Sequence, residues 1–281
     1  MPDQQKGPYY FLSTVGRAVA VLEQFMTSES ELGITEVAHR LKMHKSVTHR
    51  LIATLVDLGL LAPGAVSGTY RLGVKSLELG LSYLRNSPLE RVAQYHLTQL
   101  AEQLPEMAFH VAILDGTQIV YQKSVTGPDA HWMSATLGRR QQAYCTALGK
   151  VLLAYLSPPA LARYLSTVEL KPFTSTTITS PDTLRDGLER IRMQGWAHDN
   201  QESIQGRTCV GAPIRDHTGQ VIAALSIAGL SERVQHHGLD MLVETVKRTA
   251  NDISFELGFS PSYRPATIAP SDGKSTRSVA R

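Results

Sequence analysis

At 281 residues and 42% hydrophobic content, the chain can bury a real core as one large domain or two modest ones. A net charge of only +3 excludes a protein that grips nucleic acid through bulk charge, so any such surface must come from where the charges sit. Two distant cysteines, Cys145 and Cys209, exclude a disulfide-rich secreted scaffold and a zinc ribbon, and fit free thiols in a reducing cytosol.

The opening "MPDQQKGPYYFLSTVGR" has no apolar signal-peptide core, and no run of about 18 apolar residues follows that could span a bilayer. The expectation is a soluble, cytoplasmic protein with no membrane partner. Residues 1–9 read as a loose arm. Val15, Ala18, Val19, Leu22 and Phe25 then recur at helical spacing. Thr35 is the expected N-cap of a short helix to about Leu41, with Glu36 in the first turn where the helix dipole favours an acid. "KMHK" makes a turn, and a second helix runs from Lys45 to Leu58, stopped by Gly59. "LLA", "PGAVSG" and "TYRLG" read as a strand, a turn and a strand. Three helices and a hairpin outline a winged helix-turn-helix over residues 10–72. Val74, Leu77, Leu81 and Leu84 stripe a linker helix over 73–87.

From residue 88 to 259 helices and strands mix, which suggests one α+β domain. A helix to about Leu104 leads to two strands around Asp115-Gly116. A region with few regular signals precedes a helix from Cys145 to Leu156. Ser180-Pro181 opens another helix with a cap and a proline at N1. Two apolar strands flank a turn at Asp216–Gly219, and a last helix spans Gln235–Leu257. The tail 260–281, rich in Ser, Pro and basic residues, reads as disordered.

At about 100° per residue, Val47, Leu51, Leu55 and Leu58 share the inner face of the Lys45–Leu58 helix. Lys45, Ser46, His49, Arg50 and Ala53 share the opposite one. An ordinary solvated face would also be polar. The neighbourhood argues otherwise, since residues 35–72 carry Arg40, Lys42, Lys45, Arg50 and Arg71 against only Glu36 and Asp57. A recognition helix needs this division, apolar on its bundle and donor-rich toward base edges and phosphates.

"GRAVAVLEQF", "GITEVAHRLKMHKSVTHRLIATLVDLGLL" and "YRLGVKSLELG" resemble the DNA-binding domain of IclR-type bacterial transcriptional regulators. "TALGKVLLAYL", "GWAHDNQES" and "CVGAPIRDHTGQVIAALSIAGL" resemble that family's effector-binding domain, so the likeness runs in order over residues 13–258. It implies a GAF-like second domain that binds a small organic acid or related metabolite. It also implies a homodimer or dimer of dimers on a pseudo-palindromic operator of double-stranded DNA. The expected readers are Lys45, Ser46, Thr48, His49 and Arg50, with Arg71 on the wing. The expected effector residues are Ala130, Met133, Ala147, Leu148, Asp199, Arg207, Cys209 and Ser226, with Ala228 departing from a serine found in some relatives.

Catalytic motifs fail by inspection. "TALGK" would need Gly at position 144 and Ser or Thr at 151, where Tyr and Val stand, so it is no phosphate loop. There is no GxSxG elbow and no HExxH. A Cys-His pair involving His110 or His131 stays open, and His236-His237 reads as exposed. No cofactor, metal or enzymatic activity is expected. The reading is a ligand-responsive repressor. Its alternatives are an activator, an enzyme fused to a DNA-binding module, and an architectural binder without a ligand.

Overall fold

The computed structural model describes residues 11–26, 31–132 and 137–260. The arm at 1–9, Met133 and all but the first residue of the 260–281 tail lie outside them. The chain divides into two compact units, Met1–Asn86 and Ser87–Arg281.

The first unit holds α1 (Ser13–Gln24), β1 (Leu32–Gly33), α2 (Ile34–Arg40), α3 (Lys45–Asp57), β2 (Leu61–Pro63), β3 (Thr69–Leu72) and α4 (Val74–Arg85). Its core is Val21, Phe25, Leu32, Val37, Ile52, Leu55 and Leu61. Four details depart from the sequence pattern. On α1, Val15 and Val19 are exposed while Val21 is fully buried, so the core stripe is rotated. The cap of α2 is Gly33, because Leu32–Gly33 is already committed to a strand paired with Tyr70 and Thr69. Thr35 therefore sits inside the helix. On α3 the inner residues are Thr48, Ile52 and Leu55, whereas Leu58 is 60% exposed. The sheet is ordered β1-β3-β2, a third strand being added to the expected hairpin. Gly59 takes φ +73°, the left-handed turn that ends α3 without a Cβ penalty.

The second unit builds a six-stranded antiparallel sheet ordered β6-β5-β4-β9-β8-β7. Its strands are β4 (Ala108–Asp115), β5 (Gln118–Thr126), β6 (Arg140–Gln142), β7 (Ala197–Asn200), β8 (Arg207–Arg215) and β9 (Val221–Leu230). Its helices are α5 (Pro88–Gln103), α6 (Ala147–Ala154), α7 (Pro158–Thr167), α8 (Pro181–Gln194), α9 (Ser231–His237) and α10 (Leu239–Glu256). The strand period of two divides the side chains. Phe109, Val111, Val210, Ala212, Leu225 and Ile227 point into one core with α5 and α10. Ala112 and Ala224 belong to a second core with Leu148, Val151 and Leu188 of α6 and α8. Helix α7 escaped the pattern reading, and the expected single last helix is two, broken at Gly238 with φ +82°. The cap on α8 is as expected, the Ser180 hydroxyl accepting from Thr183 N–H at 3.4 Å.

Candidate functional site

Two surfaces collect the singled-out residues. On α3, Lys45, Ser46, His49, Arg50 and Ala53 are all exposed, as are Lys42 and His44 in the preceding turn and Arg71 on β3. No acid stands in the first turn of α3. Thr48 is a correction, since it is fully buried and its hydroxyl donates back to His44 O at 3.2 Å. A hydroxyl spent on its own helix is closed to base edges.

The second surface is a cavity of about 110 Å³ between the sheet and the start of α6. Cys209 opposes Ala228, and Ser226 lies between Gly211 of β8 and His110 of β4, so neighbouring strands present one face to it. Of the expected effector residues, Ala147, Leu148, Asp199, Arg207, Cys209 and Ser226 all line it. Ala130 is buried but is not among the described lining residues, and Met133 lies outside the described residues.

Asp199 is on strand β7 rather than in a turn. Its Oδ1 accepts Glu202 N–H at 2.7 Å and its Oδ2 accepts the Ser203 hydroxyl at 2.7 Å. Burial raises its carboxyl to about pH 6, against the pull of Ser203 and Lys150. His110 lies across the sheet, with Nδ1 3.0 Å from Ser124 Oγ, and burial lowers it to about 4 with help from Arg207. Arg207 stacks 5.1 Å over the Trp132 ring and donates to Trp132 O at 3.3 Å. Its guanidinium is therefore held in place while carrying a full charge at the cavity. Ala147 and Leu148 form the first turn of α6, where N–H groups have no acceptor within the helix.

Other lining residues went unnoticed in the sequence. Tyr121, Gln141, Arg139 and Ser203 reach the cavity, and the Tyr121 hydroxyl donates to Gln141 Oε1 at 2.5 Å. Gln141 and Arg139 lie in the stretch without regular signals, which offered no period to orient them.

The "TALGK" run has a packing explanation. A Cβ on Gly149 would come within 2.1 Å of Ala143 O, so only glycine lets α6 close on the preceding 3-10 turn. Lys150 is buried, ion-paired to Glu202 and bonded to His198 O. Both thiols are held protonated by burial, Cys145 pushed up to about 12 and Cys209 well above its usual range. That disfavours a thiolate nucleophile at either position. His236 is exposed, while His237 is half-buried with Nε2 3.3 Å from Glu106. Among the described residues no cluster of His, Cys, Asp or Glu is placed to hold a metal, and no helix is long and apolar enough to cross a membrane.

Comparison with known proteins agrees along the chain. The family model described as the IclR helix-turn-helix domain matches residues 14–63, and that of the bacterial transcriptional regulator IclR C-terminal region matches 81–255. The transcriptional regulator KdgR of Escherichia coli is 35% identical over 88% of this chain and 94% of its own length. The Pca regulon regulatory protein of Pseudomonas putida is 34% identical over 82% of this chain and 78% of its own. Among solved structures, the Thermotoga maritima IclR protein is 32% identical with a TM-score of 0.69, covering 89% of this chain and 100% of that one. An IclR homologue from Microbacterium hydrocarbonoxydans, solved with 4-hydroxybenzoate, is 26% identical with a TM-score of 0.76, covering 87% and 98%.

Proposed function

The chain belongs to the IclR family of bacterial transcriptional regulators, DNA-binding proteins that answer to small ligands, and from that membership we propose that its effector is a small carboxylic acid. The supporting observation is the cavity's arrangement. A charged arginine, Arg207, and the first turn of α6, where the Thr146 hydroxyl already takes the Gly149 N–H, line the same space of about 110 Å³ as the buried Asp199. An arginine takes a carboxylate in two parallel bonds, and helix N-termini favour anions. Asp199, Ser226 and His110 are left to sort the remainder of the ligand by its hydrogen-bonding groups. The 4-hydroxybenzoate in the Microbacterium relative is a carboxylate of this kind.

In this reading Lys45, Ser46, His49 and Arg50 meet the major groove and Arg71 contacts a phosphate or the minor groove. The exposed stripe Val74, Leu77 and Leu81, each 41% or more accessible, pairs two copies into a dimer on a pseudo-palindrome. The effector is bound without turnover in the cytoplasm, and it acts on a repressor by favouring one arrangement of the copies. Residues 10–72, 73–87 and 88–259 divide this work as reader, linker and sensor.

A panel of small aromatic, sugar-derived and short-chain acids tests the ligand class. At least one acid is expected to raise the melting temperature of the parent chain, and Arg207→Met and Asp199→Ala should each lose that rise while keeping operator affinity without ligand. A panel in which only neutral or cationic compounds stabilise the protein would overturn the carboxylate assignment.

A further inference from the structure

Glu31 is an acid inside a unit that binds DNA, and it is engaged entirely with the hairpin between β2 and β3. Its Oε1 accepts Ala65 N–H at 2.9 Å and its Oε2 accepts Val66 N–H at 3.3 Å. The Thr69 hydroxyl lies 2.8 Å from the same Oε2. These hydrogen bonds, led by Ala65 N–H, hold the carboxyl below its usual range, with a smaller pull from the Arg71 charge. The hairpin is shaped to receive the group. A Cβ on Gly64 would come within 2.4 Å of Glu31 Oε2 and 2.2 Å of Thr69 Oγ1, so a larger residue there would displace the carboxylate and the hydroxyl from these positions. Gly68 completes the turn at φ +82°. One residue on, Leu32 pairs with Tyr70, which fixes the strand position next to Arg71.

We propose that Glu31 is a positioning residue for DNA binding, an internal anion that pins the wing and thereby aims Arg71 at the duplex. This rests on the reading that α3 and the wing face DNA. Exposed N–H groups at a turn ordinarily attract an anion. Here Glu31 takes the Ala65 and Val66 N–H groups, so those two are closed to a phosphate and Arg71 is the charged contact the wing presents. The consequence opposes simple electrostatics. Removing a negative charge from a DNA-binding surface should tighten binding, because the duplex is a polyanion. Removing this one weakens it, because a free hairpin must be ordered at the moment of binding.

The test is a double-mutant cycle with full-length protein on a duplex selected by the parent chain from a random-sequence pool. Glu31→Ala is expected to weaken binding about threefold to tenfold, and less than twofold when Arg71 is already alanine. Should Glu31→Ala unfold the small unit, the same cycle is read on Glu31→Gln, which keeps the side chain's size and one accepting oxygen. Equal or tighter binding by the acid-free variant would overturn the proposal, as would an equal loss in both Arg71 backgrounds. Failure of the parent chain to select any duplex would instead overturn the DNA reading, and this inference with it.

Discussion

The contrast between Thr48 and its neighbours assigns residues that sequence spacing leaves mixed. Arg50 is exposed on α3, so Arg50→Ala should weaken operator binding by about 1–3 kcal/mol if it reads a base, measured by titration at fixed salt. Thr48→Val keeps the buried shape and removes only a bond to His44 O, so operator affinity should stay within about twofold. A large loss there would mean the helix meets DNA through another face. Asp199 and His110 make opposite contributions to acid stability. Asp199 binds a proton more tightly folded than unfolded, so its contribution to stability falls as pH rises from about 4 to about 6. His110 binds a proton less tightly folded, so its contribution rises as pH climbs from about 4 toward 6.5. The two offset each other between pH 4 and 6. Asp199→Asn removes one side, and relative to the parent its unfolding free energy should fall by about 1 kcal/mol per pH unit on acidification through the middle of that window. Parallel curves for the two proteins in urea would show that the Asp199 proton is not linked to folding.

Helix α6 joins the cavity to the buried polar network beside it. Its first turn lines the cavity, Gly149 seats it on the 3-10 turn, and Lys150 reaches Glu202 on the loop after β7. The backbone of Glu202 in turn donates to Asp199 and accepts the Thr177 hydroxyl at 2.6 Å. Both members of the ion pair are under 10% accessible, so removing one leaves the other uncompensated in a poor dielectric. Lys150→Met should therefore cost about 3–5 kcal/mol in denaturant unfolding. Replacing the pair together, as Lys150→Met with Glu202→Leu, should recover most of that loss, because no orphan charge remains. A single variant as stable as the parent would mean that water already reaches the pair.

For the whole regulator, phosphate contacts predict that the logarithm of operator affinity falls linearly with the logarithm of salt concentration. Lys45→Ala should make that slope shallower by about one if its ammonium lies on a phosphate. An unchanged slope would move Lys45 off the backbone. An effector that alters operator affinity must, by linkage, have its own affinity altered by operator in the same ratio. Titrating one acid with and without duplex checks this, and identical effector affinities would mean that the cavity and the DNA surface are uncoupled.

The helix-turn-helix was legible because α3 carries its cations and its aliphatic residues on opposite faces, and a period near 3.6 needs no partner to be seen. The strands β8 and β9 were legible as two apolar runs around a turn, and the strand period of two puts Arg207 and Cys209 on one face. What period alone misjudged was rotation. Whether Thr48 or Leu58 turns inward depends on where α1 and α2 lie, and only packing against Val21, Phe25 and Val37 decides it. The capping residue of α2 was likewise settled by a strand partner 38 residues away in sequence, Tyr70 on Leu32. The cavity is the extreme case. Its wall is drawn from all six strands of the sheet and from α6, so adjacency across the sheet, which no local stretch encodes, brought Tyr121 and Gln141 to the same space as Asp199. Local chemistry determined which segments are helices, strands and basic surfaces; the sheet order decided which of their side chains share a ligand.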